Sequence, residues 1–167
     1  VNSDLNDALG NFIHRTLTFI KTNFDGKVPS PTQLDERGRS VIDEVEKSAA
    51  KVGALLDKFK LKDALNAVVE LARIGNQYLS EQEPWHRISD QPAIAANSIY
   101  VSAQLVRSLA ILLAPFLPSS AERVWRQLDL PGSVHGQRWN DAGKSLLMPG
   151  HVIGVPEPLF AKISAAE

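Results

Sequence analysis

The sequence predicts an all-α fold, a bundle of about five helices with an irregular C-terminal tail. Three observations support this prediction. Apolar residues recur at intervals of three and four in five successive stretches. Turn-forming Gly, Pro, Ser and Asp residues separate these stretches. The chain shows no alternation of strand-like and helix-like segments, so a parallel sheet is not expected. We therefore expect a helical-bundle domain over residues 1–130 and a tail over residues 131–167.

The first two helices are predicted from apolar periodicity and from capping residues. The first covers residues 3–24, and the second runs to about residue 59. Ser30 is a suitable N-cap for the second helix because Pro31 would then occupy its first position. The apolar face of the first helix consists of Leu5, Leu9, Phe12, Ile13, Leu17, Ile20 and Phe24.

The third predicted helix covers residues 61–82, and the fourth ends at about residue 113. Pro84 follows the third helix and is expected to restrict Glu83 to an extended conformation. Ser89 or Asp90 can cap the fourth helix. Since this fourth segment is apolar on most faces, it should be the central and most buried helix.

A short fifth helix is predicted over residues 120–128. Ser119 and Glu122 have the spacing of a capping box. Trp125 lies among apolar residues of this helix and is expected in the core. The following residues are rich in Gly and Pro, which favours irregular structure.

Composition limits the classes of function. The formal net charge of −1 over 167 residues means that any nucleic-acid binding must rest on a local patch. The absence of cysteine excludes disulfides and thiolate metal sites and fits a reducing compartment such as the cytoplasm. The N-terminal residues do not resemble a signal peptide. The most apolar run, residues 109–116, is shorter than the roughly 20 residues that span a bilayer, so no membrane partner is expected.

The sequence contains no arrangement of residues typical of catalysis or metal binding. Its histidines, His14, His86, His135 and His151, lack metal-ligand spacing, and no Gly-rich phosphate loop occurs. An enzyme using His86 or His151 as a base has little support because no nucleophile lies nearby in the sequence. We therefore predict no catalytic residue, no metal ligand and no cofactor for this chain by itself.

Asn11 and Arg15 form the first candidate binding feature. They are four residues apart and therefore adjacent on one face of the first helix, away from its apolar stripe. An amide and a planar guanidinium together can match the hydrogen-bonding edge of a nucleobase. An ordinary exposed helix face is the alternative. The residues expected to share this face are Asp4, Ala8, Thr18 and Thr22.

Trp85 is the second candidate binding feature. Pro84 stiffens the end of the third helix, so Trp85 is expected to have limited conformational freedom. A base could then stack on the indole, an interaction worth about 1–3 kcal/mol. The alternative is that Trp85 folds back over the core.

Four segments of the chain resemble a known family. They are "DLNDALGNFIHR", "ALNAVVELARIGNQYLSEQEPW", "LAILLAPFLPSSAERVWRQL" and "GHVIGVPEPLFAKI". In this order they resemble the C-terminal anticodon-binding region of methionyl-tRNA synthetase, over about residues 2–163. The final segment is most similar to the archaeal and eukaryotic branch. Other class Ia synthetases share the helical bundle, but the Pro-Trp pair combined with Asn-x-x-x-Arg favours methionine among them.

The resemblance implies a function in tRNA binding. In that family the residues matching Asn11, Arg15 and Trp85, together with the adjoining Pro84, read the CAU anticodon. The implied partners are the anticodon loop of tRNA(Met) and an N-terminal catalytic domain, on which the 131–167 tail could pack instead of on the bundle. The family's ATP-handling signatures, His-Ile-Gly-His and Lys-Met-Ser-Lys-Ser, are absent from this sequence. Activation of methionine by ATP, with magnesium, would therefore belong to a preceding domain of a longer protein.

Two alternatives to this function remain open at this stage. The bundle could be the anticodon-binding domain of another class Ia synthetase. It could also be a stand-alone helical module that binds a partner protein.

Overall fold

Helices make up most of the chain in the computed structural model, which describes residues 5–160. Within this range no strand occurs, and an isolated bridge joins Lys27 to Val152. The prediction of an all-α fold with about five helices is confirmed. The five long helices are α1 (Asn11–Asn23), α2 (Glu36–Asp57), α3 (Leu61–Gln82), α5 (Pro92–Leu113) and α6 (Pro118–Gln127), and α4 (Pro84–Arg87) is a single turn. A π-helical turn, Leu5–Gly10, precedes α1, and short 3-10 helices cover Val134–Gly136 and Trp139–Gly143.

Helix α5 lies at the centre of the bundle, as its apolar sequence predicts. Residues 101–113 are all buried, and α5 contacts α1, α2, α3 and α6. By length and composition α5 is apolar enough to cross a membrane, but 83% of its apolar window is buried inside the protein. The burial explains its composition because a helix surrounded by other helices must be apolar on most faces.

Gly75 allows α1, α3 and α5 to approach closely. A Cβ at this position would lie 2.6 Å from the ring of Phe12 on α1 and 2.7 Å from Leu105 on α5. No other residue type leaves that space empty. The contact brings α1 against the second half of α3, where the candidate binding residues lie.

The predicted beginnings of α1 and α2 differ from the observed ones. The α-helical part of α1 begins at Asn11 after the π-helical turn, and Ser3 lies outside the described residues. Helix α2 begins at Glu36 instead of Pro31, and its N-cap is Asp35, which accepts a hydrogen bond from the Gly38 N–H at 2.7 Å. The Ser30–Pro31 prediction was wrong because the preceding loop pairs with the tail. Within that loop Val28 donates to His151 O at 2.9 Å and accepts from Gly150 N at 2.7 Å.

The predicted caps of α5 and α6 were also wrong. Helix α5 begins at Pro92, and Gln91 occupies the N-cap position without a side-chain bond, instead of Ser89 or Asp90. Helix α6 begins at Pro118. Glu122 does not form the predicted capping box, because its carboxylate accepts hydrogen bonds from the hydroxyl of Ser133 and the N–H of Val134, both at 2.9 Å. The Val134 N–H, with help from Ser133 and Arg126, lowers the pKa of Glu122.

The described part of the tail packs on α2 and α5. Gln104 on α5 donates to the Leu147 carbonyl at 2.6 Å and accepts from the Leu147 N–H at 3.0 Å. Trp139 packs beside Gly53 and donates its indole N–H to the Ala49 carbonyl at 2.7 Å. Residues 161–167 of the predicted tail lie outside the described range.

Candidate nucleic-acid interface

A pocket of about 390 Å³ opens between α1 and the chain that follows α3. Its volume falls in the range of roughly 300–1,000 Å³ that is typical of small-ligand sites. Apolar side chains from three helices face polar side chains of α1 across it. The lining residues are His14, Arg15, Thr18, Phe19, Thr22, Asn23, Leu79, Pro84, Trp85 and Ile99.

The end of α3 aims Trp85 at this pocket. Glu83 adopts a left-handed conformation with φ 47° and ψ 57°, so the expectation of an extended Glu83 was wrong. Its N–H still bonds to the Leu79 carbonyl at 2.9 Å, and its own carbonyl accepts from the His86 N–H at 2.9 Å. The following proline disfavours a right-handed helical conformation at Glu83, and the left-handed conformation found there ends α3. Pro84 can then open the short helix α4.

Trp85 is neither a sealed core residue nor a freely exposed one. The residue keeps 40% of its surface accessible, whereas Trp125 keeps 3% and lies in the core as predicted. Pro84, directly before it, is buried. The buried Pro84 therefore holds the backbone beside Trp85 in place, while part of the indole remains accessible. These are the conditions under which an incoming aromatic group can stack on the ring.

Arg15 lies over the indole of Trp85. The guanidinium carbon is 5.1 Å from the centroid of the ring, within the range of a cation–π interaction. One guanidinium nitrogen, Nη1, lies 3.4 Å from Oδ1 of Asn76. This is the hydrogen bond that Arg15 makes within the described range, and no carboxylate pairs with Arg15 there. Most of its five N–H donors therefore remain available to a ligand.

Asn11 lies on the same side of α1 as Arg15 but outside the pocket. It is the first residue of α1, it is exposed, and Arg15 follows it one turn later, at a rise of about 6 Å. The structure thus brings Arg15, Pro84 and Trp85 together at one pocket, and Asn11 is not among the residues that line it. Ala8, which was expected on this exposed face, is instead buried, and Asp4 lies outside the described residues.

Several polar residues that line the pocket had no binding role predicted from the sequence. Thr18 and Thr22 were expected on the same face of α1 as Arg15, which they follow at three and seven residues, and both line the pocket. His14 and Asn23 had no such signal. The Nδ1 atom of His14 is buried and has no hydrogen-bond partner. Within residues 5–160 no group of three or more His, Asp or Glu side chains is placed to hold a metal ion.

Comparison with solved structures defines the class of the fold. The chain superimposes on the free form of methionyl-tRNA synthetase from Mycobacterium tuberculosis with a TM-score of 0.89 and 27% sequence identity, covering 98% of this chain and 33% of that one. The complex of that synthetase with methionyl-adenylate gives a TM-score of 0.87 at 28% identity, covering 96% and 32%. The fold is thus that of one part of a larger aminoacyl-tRNA synthetase.

Sequence comparison identifies the family. The family model for the anticodon-binding domain of methionyl-tRNA ligase matches residues 28–167. The chain belongs to this family. It is 40% identical over 164 residues to the methionine–tRNA ligase of Pyrococcus furiosus and 36% identical over 163 residues to that of Metallosphaera sedula, with 98% of this chain covered in both cases. The chain spans 22% and 28% of the lengths of these relatives.

Proposed function

We propose that this chain reads the CAU anticodon of tRNA(Met) as the anticodon-binding part of a methionine–tRNA ligase. Membership of the family supports a role in anticodon binding. The observation that carries the proposal is the pairing of Arg15 with Trp85 at an open pocket, with the guanidinium 5.1 Å from the centre of the indole. An accessible aromatic ring and the donor-rich guanidinium that lies over it are thereby presented together.

The proposed mode of binding follows from the chemistry of these residues. Proteins read single-stranded RNA by stacking bases on aromatic side chains and by hydrogen-bonding to the base edges. In our proposal an unpaired anticodon base stacks on Trp85, which Pro84 holds in place. Arg15 and Asn11 donate hydrogen bonds to base edges, and the Asn11 amide also accepts one. The polar wall formed by Thr18 and Thr22 supplies further hydroxyl groups within the pocket.

The proposal extends to the whole protein through its relatives. The similar sequences belong to methionine–tRNA ligases, of which this chain corresponds to about a fifth. We infer that a catalytic domain of the same polypeptide activates methionine with ATP and magnesium in the cytoplasm. In this scheme the present chain identifies the tRNA, and its partners are the anticodon loop and that catalytic domain.

The 131–167 segment is proposed to lie between the helical bundle and the catalytic domain. One side of its described part packs on the bundle through contacts such as the Gln104–Leu147 pair. Several apolar side chains on it remain exposed, and in our proposal they face the catalytic domain. These side chains are Leu146, Met148, Val152 and Val155.

The test is the affinity of this chain for RNA stem-loops that differ in one anticodon base. We expect the CAU stem-loop to bind about 5- to 150-fold more tightly than a variant with one anticodon base replaced, because the mismatched base edge loses hydrogen bonds worth about 1–3 kcal/mol. Fluorescence anisotropy measures both affinities in the same buffer and salt concentration. Equal affinities for the two RNAs would reject the anticodon-reading role.

The same measurement separates the two alternatives. A preference for a different anticodon would indicate the domain of another class Ia synthetase. Binding without any anticodon preference, or no binding, would favour a protein-interaction module. The family match and the relatives favour methionine over both.

A further inference from the structure

Asn76 on α3 connects the candidate site to the turn that precedes α1. It lies two residues before Tyr78 in the segment "ALNAVVELARIGNQYLSEQEPW", which contributes to the family resemblance. Tyr78 is a core residue with 1% of its surface exposed. Asn76 is only partly buried, so the role of Tyr78 in packing does not explain Asn76.

The amide of Asn76 contacts two separate parts of the N-terminal segment. Its Nδ2 atom donates to the carbonyl of Ala8, in the π-helical turn, at 3.0 Å. Its Oδ1 atom faces Nη1 of Arg15 at 3.4 Å. One side chain on α3 thus contacts both the turn before α1 and the arginine that lies over Trp85.

The chemistry of the two partners fixes the orientation of this amide. The Ala8 carbonyl can only accept a hydrogen bond, and the Arg15 guanidinium can only donate one. The amide nitrogen must therefore face Ala8, and the amide oxygen must face Arg15. Aspartate lacks the donor and alanine lacks both groups, so Asn76 suits this position for a specific chemical reason.

We propose that Asn76 is a positioning residue that holds Arg15 over the indole of Trp85 before RNA binds. A free arginine side chain samples many rotamers and loses that freedom on binding. Holding the guanidinium in advance reduces this cost and raises affinity without a new contact to the ligand. This inference rests on the proposed function, because Arg15 and Trp85 are its reading residues.

A double-mutant cycle tests the proposal. We expect Asn76→Ala to weaken binding of the CAU stem-loop about five- to tenfold, the size expected for loss of one ordinary hydrogen bond. In an Arg15→Met background the same substitution should weaken binding less than about twofold, because Asn76 then has no guanidinium to hold. An equal loss in both backgrounds would overturn the proposal, and so would an Asn76→Ala protein that binds as tightly as wild type.

Two variants control for effects on folding. Gln77→Ala changes the neighbouring exposed residue, whose side chain bonds to Glu81 at 3.2 Å, and should leave affinity unchanged. Asn76→Asp keeps an oxygen for Arg15 and should bind more tightly than Asn76→Ala. Circular dichroism melting confirms that each variant is folded. If Asn76→Asp binds no better than Asn76→Ala, the contact with Arg15 is not what Asn76 contributes.

A measurement without RNA separates this inference from the proposed function. The indole N–H signal of Trp85 in a proton–nitrogen correlation spectrum can be assigned by its disappearance in Trp85→Phe. We expect Asn76→Ala to move this signal toward its position in Arg15→Met, because both changes remove the guanidinium from the ring. An unmoved signal would contradict the positioning role even if RNA binding is normal. Loss of anticodon preference with a moved signal would contradict only the proposed function.

Discussion

Two arginine–tryptophan pairs in this protein have the same chemistry in different surroundings. Arg15 lies 5.1 Å from the ring centre of Trp85, and Arg107 lies 5.8 Å from that of Trp125. Both distances are typical of cation–π contacts. The surroundings differ because Trp125 and Arg107 have 3% and 4% of their surfaces exposed, whereas Trp85 has 40%.

The buried pair has its polar groups occupied by the protein itself. Arg107 donates to the carbonyls of Asp141 and Lys144 at 2.9 and 3.3 Å, and the indole of Trp125 donates to the Pro131 carbonyl at 3.3 Å. Burial lowers the pKa of Arg107, while the nearby Asp141 opposes that shift. This pair therefore fastens the tail to the bundle. The Arg15–Trp85 pair, which keeps unused donors and an accessible ring, is arranged to bind a ligand.

The largest expected difference between the two pairs concerns stability. Trp125→Ala removes a core side chain, and we expect it to reduce the free energy of unfolding by about 3–5 kcal/mol. Trp85→Ala should reduce it by less than about 1 kcal/mol, because much of the indole is already exposed. Urea denaturation followed by circular dichroism measures both values. Similar losses of unfolding free energy for the two substitutions would contradict the inference that Trp125 is structural and Trp85 is a binding residue.

A smaller difference is expected for the two arginines. Arg107→Met leaves two carbonyls of the tail without their donor, and we expect a loss of about 2–3 kcal/mol in the free energy of unfolding. Arg15→Met is the matched control and should cost less than about 1 kcal/mol, because the hydrogen bond of Arg15 to Asn76 is long, at 3.4 Å, and solvent can replace it. The same denaturation experiment measures both. A greater loss for Arg15→Met than for Arg107→Met would contradict the assignment of Arg107 as the structural member.

The smallest expected effect is a change in the pH dependence of stability at the tail anchor, the hydrogen bonds of Glu122 on α6 with Ser133 and Val134 of the tail. The pKa of Glu122 is lowered in the folded protein, chiefly by the N–H of Val134. The carboxylate therefore stabilises the fold above its unfolded pKa of about 4.5, and this contribution is lost as pH falls through the lower folded pKa. We expect Glu122→Gln to lower the melting temperature at pH 7 and to reduce the loss of stability on acidification.

The control for this effect is Glu46→Gln, at an exposed position on α2. It should leave the melting temperature at pH 7 nearly unchanged. Binding of RNA by Glu122→Gln should match wild type, because Glu122 does not line the pocket that contains Arg15 and Trp85. If the melting temperature of Glu122→Gln has the same pH dependence as that of wild type, the Glu122 carboxylate does not stabilise the contact between α6 and the tail.

Some parts of the fold could be predicted from sequence because hydrophobic burial determines them. The limits of α3, Leu61–Gln82, match the predicted ones, and α5 is the central helix as its apolar composition indicated. The beginnings of α2 and α6 could not be predicted in the same way. Helix α2 is capped by Asp35 instead of Ser30, and Glu122 of α6 binds Ser133 and Val134 of the tail instead of completing a capping box. Such contacts with the tail depend on residues distant in sequence.

The candidate site could be predicted only in part for the same reason. The resemblance indicated Arg15 and Trp85, and the structure brings them into contact. The positions of His14 and Asn23 in the pocket lining depend on how α1 crosses α3. So do the contacts of Asn76 with Ala8 and Arg15. That crossing is set by the close approach at Gly75, which periodicity along a single helix does not reveal.

The affinity of Trp85→Ala for the CAU stem-loop tests most directly whether the Arg15–Trp85 pair reads RNA. We expect binding to weaken by about 1–3 kcal/mol relative to wild type, because one stacked base loses its platform. Trp139→Phe, which changes a tryptophan that packs on α2, should bind as wild type does. If Trp85→Ala remains folded and binds the CAU stem-loop as tightly as wild type, the indole does not stack on the anticodon and the proposed reading mechanism is wrong.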